Sequence, residues 1–188
     1  MNKKASAAVI AVLIAAAVIF TSGCGKTDAP ETTDANTSAA QQADGTDAAA
    51  PENAAPDFTA SLTNGGAFTL SEHKDEVVML NFWATWCSPC VAELPEIQRL
   101  VDEKIEGFTF LAVDCAEDRA TVDRFLQEKG YTFSVAYDED NAIGALYPTD
   151  GIPYTVFIKN GVIEKTFLGR PEDPYTEYKA AVEELLAK

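Results

Sequence analysis

The chain has 188 residues, 47% of them hydrophobic, with 14 Lys and Arg against 30 Asp and Glu for a formal net charge of −16. That leaves room for one ordinary domain with extensions and supplies enough apolar material for a packed core. The acidic surplus argues against nucleic acid as a partner and against a polybasic membrane patch. Four cysteines are too few for a disulfide-stapled miniature domain, so each requires its own explanation.

Lys3 and Lys4 precede an apolar run from Ala5 to Phe20, followed by Thr21-Ser22-Gly23-Cys24. A charged start and a short apolar stretch form an export signal. The small residues before Cys24 resemble the lipobox of bacterial lipoproteins, although Leu is commoner than Thr at position 21. The resemblance implies a signal peptide over 1–23 and lipidation of Cys24. An uncleaved membrane helix is the alternative, since the run is barely long enough to span. Either arrangement keeps the two lysines cytoplasmic and the remainder outside, where disulfides persist. Residues 24–55 turn to Ala, Thr, Asp, Gln, Asn and Pro with almost no large apolar side chains. Such a stretch cannot offset its own chain entropy and reads as a disordered acidic linker. As a coil of about 30 residues it would reach on the order of 30 Å.

A globular domain is expected over 56–188. Phe58–Leu62 and Ala67–Leu70 flank Asn64-Gly65-Gly66, the pattern of a β-hairpin. His73, the single histidine, reads as a surface residue, because a metal site needs several ligands. Val77 through Trp83 is apolar except at Asn81, as in a strand buried on both faces of a parallel sheet. It runs into Thr85-Trp86-Cys87-Ser88-Pro89-Cys90, after which Val91, Leu94, Ile97, Leu100 and Val101 recur at helical spacing. Two thiols separated by two residues can close and reopen a small ring with little backbone movement. A helix start offers unpaired N–H groups and partial positive charge that favour thiolate over thiol. Strand, turn and dithiol together predict a thiol–disulfide exchange site. Half of a zinc site and a purely structural disulfide are the alternatives. The first lacks a second ligand pair, and so small a ring would constrain the unfolded chain little.

The run Asn81 through Cys90, with Glu93 and Pro95, resembles the active site of the membrane-tethered TlpA/ResA-like thioredoxins. The rest of the chain reads compatibly. Phe108–Val113 predicts a strand, and Val122, Phe125 and Leu126 a helix ending at Gly130. Phe133–Tyr137 predicts another strand, and Ala142–Tyr147 a helical turn. Tyr154–Ile158 and Val162–Leu168 predict a hairpin across Asn160-Gly161, and Tyr175, Tyr178, Val182, Leu185 and Leu186 a closing helix. This order predicts an α/β thioredoxin fold, a mixed central sheet with helices on both faces, preceded by an N-terminal β-hairpin.

The resemblance implies roles for individual residues. Cys87 attacks a substrate disulfide, and Cys90 then attacks the mixed disulfide and releases the reduced substrate. Pro153 takes the cis form beside the dithiol, so that the Ile152 backbone can pair with an extended substrate, with Trp86 beside the cysteines. Asn81 replaces the buried Asp of cytoplasmic thioredoxins and cannot accept a proton. Glu117 is assigned as proton acceptor or pKa tuner for Cys90, its alternative being an exposed carboxylate favoured by a helix start. Glu93 is shared with the family as a structural or secondary tuning residue. Cys115 is left over, a small buried residue by default or a third redox thiol.

The implied activity is that of a membrane-anchored, extracytoplasmic protein-disulfide reductase acting on exported proteins such as apocytochrome c. A membrane-embedded donor would recharge it, and neither cofactor nor metal is required. Ser-Pro between the cysteines lacks the histidine of strongly oxidising relatives. A peroxiredoxin-like peroxidase is the alternative, but its P-x-x-x-T-x-x-C pattern would need Thr and Pro where Ala84 and Leu80 stand. A non-catalytic binding lipoprotein is the other.

Overall fold

The computed structural model describes residues 51–188. The expected signal peptide, Cys24 and the linker as far as residue 50 lie outside the described residues. Seven strands and three α-helices follow in the order β1 (Thr59–Ser61), β2 (Ala67–Thr69), β3 (Val77–Trp83), α1 (Ser88–Asp102), β4 (Phe108–Asp114), α2 (Arg119–Lys129), β5 (Val135–Ala136), β6 (Tyr154–Lys159), β7 (Val162–Leu168) and α3 (Pro174–Leu186). Short 3-10 turns occupy Leu70–His73 and Gly144–Leu146.

β1 and β2 form a separate antiparallel hairpin, and the other strands make one sheet ordered β5-β4-β3-β6-β7. β3, β4 and β5 run parallel, while β6 and β7 are antiparallel to their neighbours. The mixed sheet follows from local chemistry. A helix must bridge each parallel pair, whereas Asn160 and Gly161 adopt φ of 53° and 73°, the paired positive values that a two-residue hairpin demands.

Alternation along β3 assigns the two faces. Val77, Met79 and Trp83 join a core with Leu94, Ile97 and Leu100 of α1, Val122 of α2 and Tyr178, Val182 and Leu185 of α3. Val78, Leu80 and Phe82 face the opposite way, onto Phe58 and Phe68 of the hairpin and onto Leu70, Ile143 and Tyr147 in and beside the 3-10 turns. Helical cover is therefore unequal. All three α-helices contribute to one core, and the other relies on the hairpin and short turns. With about 1.5–3 kcal/mol from each fully buried large apolar side chain, these faces outweigh any single cap or turn.

Caps set the helix ends. Asp118 accepts the Thr121 N–H at 3.0 Å at the start of α2, worth about 1 kcal/mol. Gly130 closes it in the left-handed region at φ 72°. Three details depart from the sequence reading. β5 is two residues long, because its pairing with β4 is confined to Val135 and Ala136. Ala54, within the stretch read as linker, bridges Val162, and the Ile163 N–H donates to the Asn53 carbonyl at 2.8 Å. Pairing of this kind uses backbone groups and leaves no hydrophobic signature. His73 is half-buried, stacked on Phe68 at 4.5 Å between ring centroids, with Nδ1 3.2 Å from Glu76.

Candidate active site

β3 ends at Trp83, and the chain turns through Ala84, Thr85 and Trp86, closed by the Cys87 N–H donating to the Ala84 carbonyl at 3.1 Å. Cys87 is the N-cap of α1. Its backbone is extended, and its sulfur accepts the Cys90 N–H at 3.3 Å. A side-chain acceptor at this position satisfies one of the orphan donors of a helix start, and a thiolate there gains both that bond and the helix dipole. Pro89 costs nothing in the first turn, where no intrahelical N–H is required.

Cys87 and Cys90 are joined by a disulfide with an S–S distance of 1.96 Å and Cα atoms 5.2 Å apart. Cys90 is fully buried and Cys87 only 5% exposed, so the first sulfur is more enclosed than an open helix mouth suggests. Trp86 beside it is 69% exposed. The Ile152–Pro153 peptide is cis, and the Ile152 carbonyl oxygen lies 3.7 Å from Cys87 Sγ. The Gly169 N–H holds the Pro153 carbonyl at 2.8 Å. Trp86-Cys87 and Ile152-Pro153, two segments distant in sequence, thus meet. A groove of about 460 Å³ opens there, lined in part by Phe82, Trp86, Cys115, Tyr147 and Ile152.

On the helical face, Glu93 follows Cys90 by three residues, placing both on one side of α1, and both are completely buried. The Asn81 amide donates to Glu93 Oε1 at 2.8 Å and to Thr155 Oγ1 at 3.0 Å. The Tyr178 hydroxyl donates to Glu93 Oε2 at 3.0 Å. Sheet register explains the contact, since Asn81 and Thr155 are paired across β3 and β6. Burial raises the Glu93 pKa to about 7, opposed by the bonds from Asn81 and Tyr178 and by the charge of Arg170. Asn81, although unable to accept a proton, thus organises a carboxyl that can. The signal in the sequence was a lone carboxylate on the apolar face of α1.

Glu117 is tied to the turn before the dithiol through Thr85. The Thr85 N–H donates to Oε2 at 2.6 Å and its hydroxyl to Oε1 at 2.5 Å; none of the hydrogen bonds found joins Glu117 to Cys90. Next to it stands Asp114, the last residue of β4, wholly buried and unremarked in the sequence reading. Its signal was a charge ending a strand whose preceding four residues, Phe110 to Val113, are apolar. Cys115 is half-buried, and its thiol donates to the Val113 carbonyl at 3.9 Å. Burial, reinforced by Asp114 and Asp138, pushes its pKa to about 12. It is therefore a neutral thiol near pH 7, a poor nucleophile. Among the described residues no cluster of three or more His, Cys, Asp or Glu side chains is arranged to hold a metal ion.

The arrangement suits two-step exchange, with an N-capping sulfur against the Ile152 carbonyl, a second sulfur one turn inward, and a carboxyl whose pKa is raised to about 7 on the same helix face. Residues 50–185 match the Redoxin family. The thiol-disulfide oxidoreductase ResA of Oceanobacillus iheyensis is 40% identical over 123 residues, covering 62% of this chain and 64% of that protein. The chain thus spans slightly less than two thirds of that relative. The Geobacillus kaustophilus ResA is 34% identical over 124 residues, 65% of this chain and 71% of that protein. The crystal structure of the exposed lipoprotein thioredoxin of Streptococcus pneumoniae superposes with a TM-score of 0.63 at 26% identity, covering 69% of this chain and all of that one.

Proposed function

The chain belongs to the Redoxin family, among its ResA-like thiol–disulfide oxidoreductases, and from that premise we propose that it reduces disulfides of exported proteins from a lipid anchor outside the cytoplasm. The observation that carries the reading is Cys87 Sγ at the N-cap of α1, accepting the Cys90 N–H beside the Ile152 carbonyl. In the reduced protein, Cys87 thiolate attacks one sulfur of a substrate disulfide and forms a mixed disulfide as the other sulfur leaves and takes up a proton. Cys90 gives up its proton and attacks Cys87 Sγ, which restores the bond seen here and frees the second substrate thiol. Glu93, three residues along the same buried helix face, is the proton acceptor we favour for Cys90, and Glu117 acts on the turn before Cys87.

The Ile152-Pro153 segment and the exposed Trp86 form the surface for an extended substrate, its backbone pairing beside Ile152. Apocytochrome c is one such substrate, and a membrane-embedded dithiol carrier is the proposed source of electrons. The lipobox-like Thr21-Ser22-Gly23 before Cys24 and the polar stretch that follows support the anchor, as does the similarity to a protein named as an exposed lipoprotein.

The test is a Cys90→Ser variant of the full chain, expressed with its own leader. It should accumulate mixed disulfides on Cys87 with exported proteins, and the wild-type protein should reduce peptide disulfides in solution. A potential near about −120 mV, the strong-oxidant range, or an absence of trapped partners would overturn the reductase reading. Cys24→Ser should release the protein from the membrane fraction while leaving peptide-disulfide reduction intact.

A further inference from the structure

Asp114 occupies the end of β4 directly opposite Trp83, the last residue of the strand that leads into the dithiol turn. One carboxyl oxygen, Oδ2, accepts the Glu117 N–H at 3.1 Å. The other, Oδ1, is buried with no hydrogen-bond partner. An ionised carboxylate with an orphaned buried oxygen is costly. The bond at Oδ2 ties Asp114 to Glu117, whose carboxyl raises the Asp114 pKa both by its charge and as a hydrogen-bond partner, and two neighbouring carboxyl groups can share one proton. A proton on Asp114 lets it donate to Glu117, whose two oxygens also receive the N–H and hydroxyl of Thr85. Thr85 stands two residues before Cys87.

We propose that Asp114 is a positioning residue that holds a proton shared with Glu117, and that the pair clamps Thr85 and so fixes the turn presenting Trp86 and Cys87. Across the sheet from Asp114 stands the uncharged Trp83, the adjoining residue is the neutral thiol Cys115, and the charges acting on Asp114 come from Glu117 and from Asp138 beyond β5. Both charges are negative. Asp138 is itself occupied, accepting the Ile143 N–H at 2.9 Å and the Gly144 N–H at 2.7 Å. Burial, with those like charges, holds Asp114 protonated to about pH 7. Above that, two adjacent carboxylates repel each other, and the clamp on Thr85 loosens with no change at the sulfurs themselves.

The consequence for exchange rests on the dithiol reading; the clamp does not. The experiment therefore uses the oxidised protein, in which neither active-site cysteine titrates. Carbon-13 NMR of the Asp carboxyls should show one carbon, absent in Asp114→Asn, titrating near pH 7, and the Thr85 amide resonance should move with the same midpoint. Asp114→Asn, whose amide can still accept from the Glu117 N–H and donate to its carboxylate, should leave the Thr85 amide flat between pH 5 and pH 9 (roughly two units either side of that midpoint). Glu117→Gln provides the second variant and should shift the Asp114 midpoint downward by removing a neighbouring charge. An Asp114 carbon that titrates near its ordinary value, or a Thr85 titration that persists unchanged in Asp114→Asn, would overturn the proposal. Peptide-disulfide reduction measured separately on the same wild-type sample tells failure of the clamp from failure of the reductase reading.

Discussion

Two buried carboxyls flank the dithiol, Glu93 beneath Cys90 and Asp114 beneath the turn before Cys87, and both are raised to about pH 7. Their surroundings are opposite. Glu93 receives hydrogen bonds from Asn81 and Tyr178, so burial alone drives its shift against the pull of its partners. Asp114 has an unpaired oxygen and two negative neighbours, so repulsion adds to burial. One titration point can therefore mark either a packed polar network or a shared proton. Substitution, rather than the midpoint, separates them.

The largest effect should come from removing what both regions serve. Cys87→Ser should reduce peptide-disulfide turnover to the uncatalysed background, and a surviving rate would leave the comparison without a chemical purpose. Next, Glu93→Ala leaves the Asn81 amide and the Tyr178 hydroxyl without their buried acceptor. At about 1–3 kcal/mol for each unsatisfied group, it should lower unfolding free energy by about 2–6 kcal/mol in denaturant titrations. Asp114→Asn, with one oxygen already orphaned, should cost far less, and equal losses would break the distinction.

The third prediction concerns pH. Both groups are held above their unfolded values of 3.8 and 4.5, so each folded form binds its proton more tightly than the unfolded chain. Their contribution to stability is complete below about pH 4 and is lost as pH rises through about 7. Unfolding free energy should fall across that window and level off above it. Glu93→Gln and Asp114→Asn should each remove part of the slope, and their effects should add if the regions are independent. The smallest effect belongs to Tyr178→Phe, which deletes one donor to Glu93. It should raise the Glu93 midpoint further, cost about 1 kcal/mol, and leave the Asp114 carbon unmoved in NMR titration.

Much of the scaffold was legible because its determinants are local. Positive-φ residues fixed the Asn160-Gly161 turn, Gly130 ended α2, and the apolar period of α1 marked its buried face. The dithiol was legible for the same reason, since a strand, a turn and a helix start are contiguous. β5 was overextended because alternation in Phe133–Tyr137 shows burial without showing where pairing stops. The docking of Asn53–Ala55 on Gly161 and the start of β7 was hidden because it runs through backbone hydrogen bonds with only the small Ala55 packed against the core.

The sequence by itself determined where the sulfurs sit relative to helix α1 and which faces of the elements are apolar, properties set by neighbours within a few residues. Tertiary structure decided what surrounds those sulfurs. It placed Ile152 against Cys87, brought Asn81, Thr155 and Tyr178 onto Glu93, and set Asp114 beside Glu117 under Thr85. Those contacts join residues from separate strands, helices and loops. Whether a carboxyl there ionises depends on burial and on charges that only the packed sheet brings together.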